Sequence, residues 1–134
     1  MVGYSGRPLA AKLGIKPGST LRVKGSPFGY LKLLEPLPDG VNLVTRLSNN
    51  TELVHVFASR RADLVKGLRF FRAKLRPTAT LWVSWPKASS KVPTDITEDT
   101  VRKLALPLGF VDVKVCAVTD VWSGLKLVVR KGLR

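Results

Sequence analysis

Apolar residues recur along this chain in two periods, and the alternation between the two predicts its architecture. Short strand-like runs occupy residues 21–23, 41–44, 53–57 and 80–85, and turn residues such as Gly25, Ser59 and Pro86 end three of them. Each run reads as apolar on both sides of the pleat, the pattern of a buried parallel strand. Between the third and fourth, residues 61–75 place Leu64, Leu68, Phe71 and Leu75 at i, i+4, i+7 and i+11, which predicts a helix with one core-facing stripe. A shorter helix is expected after Pro8, through Leu9, Ala10 and Leu13, stopping at Gly14, and a brief one within residues 28–34. Another is predicted to start at Asp95, where Asp95 and Glu98 stand at capping-box spacing, and to run through Val101 and Leu104 until Pro107 and Gly109 stop it. Residues 111–118 and 125–129 are joined tightly enough to predict an antiparallel hairpin. Alternating strands and helices followed by such a pair imply one α/β domain over residues 1–134. Its expected form is three-layered, with helices on both faces of a mostly parallel sheet and a reversed edge.

Charge adds what periodicity does not. The chain carries 23 Lys and Arg against 9 Asp and Glu, a formal net charge of +14. Residues 1–67 hold 10 basic and 4 acidic side chains and residues 68–134 hold 13 and 5, so the excess is spread through the fold rather than held in a tail. Such a field attracts polyanions, and the partner expected from it is nucleic acid, DNA or RNA. A membrane surface is not expected, because no amphipathic insertion segment or lipidation signal is present. The densest basic stretch is Arg60, Arg61, Lys66, Arg69, Arg72, Lys74 and Arg76, accompanied only by Asp63. Helical spacing turns Lys66, Arg69 and Arg76 away from the core stripe and puts Phe70 on the same outward side. An aromatic ring among cations suits a surface that stacks bases and holds phosphates. The competing use is a solvated helix face, with Phe70 covered by the N-terminal segment or by a homo-oligomer contact.

Other chemistry is poorly supplied. One histidine, His55, and one cysteine, Cys116, cannot form a His/Cys metal site or a disulfide. A hydrolytic triad would have to pass through His55, which sits in an apolar strand and reads as a buried neutral imidazole. Cys116 reads as a small core residue, and the cysteine usage suits a reducing, cytoplasmic setting. Neither an apolar run of about 18 residues nor a leader-like segment occurs. Trp82 and Trp85 should point to opposite faces of one strand and fill both helix layers, and Trp122 should anchor the hairpin turn. In an open doubly wound sheet, ligands bind beyond the carboxyl ends of the strands. Here that rule selects residues 25–29, the loop of Ser59, Arg60 and Arg61, and residues 86–94. In the last of these, Lys87, Ser89, Ser90, Lys91, Thr94 and Asp95 could hold a small anion, or else form a polar loop with a helix cap.

Two resemblances follow from these segments. A glycine loop after the first strand, the strand ELVHVFAS at 52–59 and the stretch LRPTATLWVSWPK at 75–87 resemble class I S-adenosylmethionine-dependent methyltransferases. More closely, YSGRPLAAKLGIKPG at 4–18, WPK at 85–87, TDITED at 94–99, KVCAV at 114–118 and WSGLKLV at 122–128 resemble a small bacterial family catalogued as a domain of unknown function. That resemblance implies a shortened, degenerate, Rossmann-like methyltransferase fold. The strand-end rule makes Gly25, Ser26, Gly29, Lys87 and Ser89 the cofactor-binding candidates, in a pocket bordered by residues 25–29, Ser59, residues 87–91 and Tyr4-Ser5-Gly6. The chain departs from the methyltransferase pattern in three places: Pro27 replaces the central glycine, Val23 the preceding carboxylate, and Thr45-Arg46 the ribose-binding acid. No cofactor is therefore expected, although S-adenosylmethionine stays open, and no catalytic residue or metal is assigned. The expected function is a non-enzymatic basic domain that binds an anionic partner, nucleic acid first. The alternative is a methyltransferase, or a sensor of a small anionic or nucleotide-like ligand, working at the strand ends.

Overall fold

The computed structural model describes residues 7–134. Strands β1 (Thr20–Lys24), β2 (Asn42–Val44), β3 (Leu53–Phe57), β4 (Thr80–Pro86), β5 (Phe110–Ala117) and β6 (Trp122–Val129) form one sheet in the order β2-β1-β3-β4-β6-β5. The β1–β2, β1–β3 and β3–β4 pairs are parallel, whereas β6 is antiparallel to both β4 and β5. This is the expected mostly parallel sheet with a C-terminal hairpin, with one difference in detail. The reversed strand β6 lies one position inside the edge, and β5 forms the edge itself. The side chains explain the placement, since Leu125, Leu127 and Val129 of β6 are buried, while Asp112, Lys114 and their neighbours leave β5 largely exposed. Charged residues and a register shift between Asp112 and Lys114 suit an edge that must not pair further.

Two helices cover each face. Helices α3 (Arg61–Lys74) and α4 (Glu98–Ala105) bury Leu64, Leu68, Phe71, Val101 and Ala105 against Val54, Val56, Leu81, Val83 and Trp85. On the other face, α1 (Leu9–Leu13) and α2 (Tyr30–Leu33) bury Leu13 and Tyr30, together with Leu34, against Leu21, Leu53, Phe57 and Trp82. Trp85 and Trp82 thus fill opposite layers, as the pleat requires. The Trp82 indole N–H also donates to the Leu13 carbonyl at 2.8 Å, tying the end of α1 to the sheet. Cys116 and Trp122 pack, partly buried, against the second core, and the Trp122 ring meets Phe57 edge to face at 5.2 Å.

Two expectations are corrected. Strand β3 is buried along its whole length, but β1 and β2 are not covered on both faces: Arg22 and Lys24 alternate with Leu21 and Val23 and point to the face that carries α3 and α4, beside the flank of α3 rather than beneath it. Helix α4 starts two residues later than the capping-box spacing implied. Its N-cap is Thr97, whose hydroxyl accepts from the Thr100 N–H at 3.2 Å, while the Thr100 side chain accepts from the Thr97 N–H. Asp95 instead accepts the Arg61 N–H at 2.6 Å and so caps α3 across the chain. Arg60, the residue at the α3 N-cap position, has no side-chain cap of its own to offer.

Candidate functional site

The chain reverses its direction of travel across the sheet between β1 and β3, and Gly25 sits at that point. Its φ of +74° is a left-handed conformation, and a Cβ there would lie 2.7 Å from the Phe57 carbonyl oxygen, so only glycine fits. The turn 25–29 then leads to Gly29, also left-handed, which opens α2. Because β6 runs backwards, the hairpin turn 118–121 comes to the same edge of the sheet, with Trp122 paired to Pro86.

Between these two turns, on the α1/α2 side, lies a crevice of about 820 Å³. Pro27, Phe28, Leu33, Val118 and Trp122 give it an apolar lining, and Arg7, Lys12, Glu35 and Asp120 bring both signs of charge to it. Lys12 is anchored there by a 3.0 Å bond from its Nζ to the Ala117 carbonyl. Phe28 is fully exposed at the rim. An open cavity with an apolar body and a few charged groups is the usual form of a small-molecule site.

The pocket expected from the sequence is not one pocket. Pro27 and Phe28 line the crevice, Gly25 lines a recess between β1 and α3, and Lys87 and Lys91 line a third hollow beside α4. Ser26, Gly29 and Ser89 line none of the three, and Tyr4-Ser5-Gly6 lie outside the described residues. Two hydroxyls of the 87–94 loop, those of Ser90 and Thr94, are used within the fold. Ser90 donates to the Lys87 carbonyl at 2.6 Å, and Thr94 donates to the Ser59 carbonyl at 2.7 Å. Those two bonds brace the connection between β4 and α4.

The basic helix is divided by its neighbours. Lys66, Phe70 and Lys74 face β1 and β2, where they meet Arg22, Lys24 and Arg46. Arg69 turns to the other flank, towards Lys103 and Leu104. Arg72 donates to the Leu108 carbonyl at 2.8 Å and Arg76 to the Asn49 carbonyl at 3.0 Å, so both serve as braces, while Arg60 and Arg61 are exposed at the helix start. Phe70 is half exposed, neither buried under another segment nor fully in solvent. The sequence reading missed Arg22 and Lys24, whose signal was the polar-apolar alternation in β1.

His55 is fully buried in a chain of hydrogen bonds. Its Nδ1 lies 2.5 Å from the Tyr30 hydroxyl and its Nε2 2.7 Å from Ser84 Oγ. Burial lowers the imidazole pKa to about 3 and raises that of the Tyr30 phenol, so both groups are neutral. The serine-histidine contact resembles part of a hydrolytic triad, but Ser84 is wholly inaccessible and a neutral phenol stands where a carboxylate would orient the base. The network joins α2 to β3 and β4. Among the described residues no cluster of His, Cys, Asp and Glu could hold a metal, and no helix is long and apolar enough to cross a membrane.

No protein-family model and no curated protein matches the chain. Solved structures do. An S-adenosylmethionine-dependent methyltransferase from Aquifex aeolicus is similar at a TM-score of 0.65 and 16% identity, over 91% of this chain and 88% of that one. A proposed type 11 methyltransferase from Sulfolobus solfataricus gives 0.64 and 14%, over 92% and 90%. A proposed tRNA (m1A22) methyltransferase from Streptococcus pneumoniae, solved with S-adenosyl-L-methionine, gives 0.56 and 14%, over 90% and 70%. At these identities the likeness establishes the Rossmann-like methyltransferase fold. At the β1 turn and the end of β2 this chain differs from what a class I cofactor seat would use. Pro27 interrupts the row of N–H groups in the β1 turn, and the end of β2 offers Thr45 and Arg46 where two ribose hydroxyls would need a carboxylate.

Proposed function

We propose that this protein is a small-ligand-binding domain on the methyltransferase fold, with its site in the crevice between the β1 turn and the β5–β6 turn. The observation that carries the reading is the lining of that crevice: Pro27, Phe28, Leu33 and Trp122 for an apolar or aromatic body, with Arg7, Glu35 and Asp120 for charges of both signs. A zwitterionic or nucleotide-like molecule has that chemistry, and the strand-end position is where folds of this kind bind ligands. S-adenosylmethionine is one such molecule, although Pro27 and Thr45-Arg46 stand where its usual seat has a glycine and a carboxylate.

Isothermal titration calorimetry with S-adenosylmethionine, S-adenosylhomocysteine, AMP and ATP tests the reading. Trp122 lines the crevice while Trp82 and Trp85 are buried, so ligand entry should also change tryptophan fluorescence, and Trp122→Phe should abolish that change. Binding by at least one of the four, weakened on Arg7→Gln or Asp120→Asn, is the expected result. Absence of heat and of fluorescence change with all four would overturn it.

A further inference from the structure

The sheet face that carries α3 and α4 is left open over β1 and β2. Helix α3 lies over β3 and β4, so its flank and the exposed side of β1 meet at a corner, and the loop 45–49 closes the far side. The result is a groove of about 680 Å³ lined by Arg22, Lys24, Arg46, Phe70 and Lys74. It continues past Lys24 and Phe70 into a recess of about 450 Å³ that contains Lys66. The two neighbouring hollows, which share Lys24 and Phe70, are lined by five cations between them, with Asp63 the one acidic residue in their lining. Among the described residues every ion pair belongs to the Arg102 cluster, so none of the five is neutralised by a carboxylate.

The one aromatic ring exposed in the groove is placed among these cations. Phe70 is 48% exposed, is held edge to face on buried Phe71 at 5.2 Å, and has the Lys24 Nζ 5.9 Å from its centroid. A half-exposed ring with an ammonium group over it can offer an aromatic contact and a phosphate contact together once that ammonium swings to a phosphate. Lys66 and Lys74 are eight positions apart on one helix, about 12 Å along the axis, which is too far for both to serve one phosphate. Arg76, bonded to the Asn49 carbonyl, braces the far rim.

We infer that this groove binds single-stranded nucleic acid, with a base against Phe70 and the neighbouring phosphates held by the surrounding cations Lys66, Lys24, Arg22, Arg46 and Lys74. A duplex is disfavoured because its bases are stacked on one another and have no free face for a ring recessed in a concavity. The inference concerns a site on the opposite face of the sheet from the crevice and does not depend on a small ligand binding there.

Fluorescence anisotropy with labelled oligo(U), oligo(dT) and a DNA duplex, titrated from about 50 to 200 mM salt, reads the groove directly. Single strands should bind more tightly than the duplex, with a log–log salt slope that becomes shallower by about 0.7 for each of Arg22→Gln, Lys24→Gln and Lys74→Gln. Phe70→Ala should weaken binding roughly 5- to 100-fold with the slope unchanged, and Phe70→Tyr should restore it. Lys103→Gln and Lys131→Gln, outside the groove, should change nothing. The oligo(U) and oligo(dT) arms separate RNA from DNA as the source of the strand. Equal affinity for the duplex, equal competition by polyglutamate, or indifference to Phe70→Ala and the three glutamine variants in a chain whose thermal melt is unchanged would overturn the inference.

Discussion

The Asp95 carboxylate accepts the backbone N–H of Arg61 at 2.6 Å, although 34 residues separate them. A loop that leads into α4 thereby supplies the cap that the start of α3 lacks, and a negative charge meets the positive end of that helix. Asp95→Ala should lower stability by about 0.5–2 kcal/mol, measured by urea denaturation, through α3 rather than α4. Hydrogen exchange locates the loss: amides 61–64 should lose protection while those of α4 keep theirs. Thr97→Ala should do the reverse.

Gly25 and Gly29 both have positive φ, but only Gly25 faces a neighbour. Gly29→Ala should cost about 1–2 kcal/mol, the price of a left-handed alanine. Gly25→Ala meets the Phe57 carbonyl as well and should cost more, with the loss spreading to the β1–β3 pairing. Equal melting temperatures for the two variants would contradict this account.

Tyr30→Phe keeps the ring and removes the hydroxyl, leaving the His55 Nδ1 buried without its partner. A loss of about 1–3 kcal/mol in chemical denaturation is expected, and Ser84→Ala should lose a similar amount through Nε2. A double variant that replaces His55 by leucine together with Tyr30→Phe should lose less than the sum, because the unsatisfied nitrogen goes with the imidazole.

His55 also makes stability depend on pH with a definite sign. Its folded pKa lies near 3, below the ordinary 6.5, so between those values the unfolded chain binds the extra proton. The stabilisation is complete above about pH 6.5 and falls as the pH drops towards 3, by an amount on the order of a few kcal/mol across the whole window. Equilibrium unfolding at pH 7, 5 and 4 should show this decline in the native chain and a smaller one in His55→Leu.

What the amino-acid order determines by itself is local. The helix over α3, the strands, and the hairpin were legible because Leu64, Leu68 and Phe71 repeat at 3.6 residues, because the strand runs end in glycine, serine or proline, and because neighbours in sequence set these preferences. The opposite directions of Trp82 and Trp85 followed from the pleat alone. Partnership at a distance was decided only by the tertiary structure. Asp95 and Thr97 carry equally good capping side chains, and it was the approach of the β4 loop to the start of α3 that gave each its helix. The candidate residues 25–29 and 87–91 belong to one sheet edge in sequence logic, yet the hairpin turn entering at β6 parts them into separate hollows. Arg22, Lys24 and Arg46 joined Lys66, Phe70 and Lys74 because α3 is too narrow to cover β1 and β2. A face left uncovered is a property of packing between elements far apart in the chain, and no local pattern encodes it.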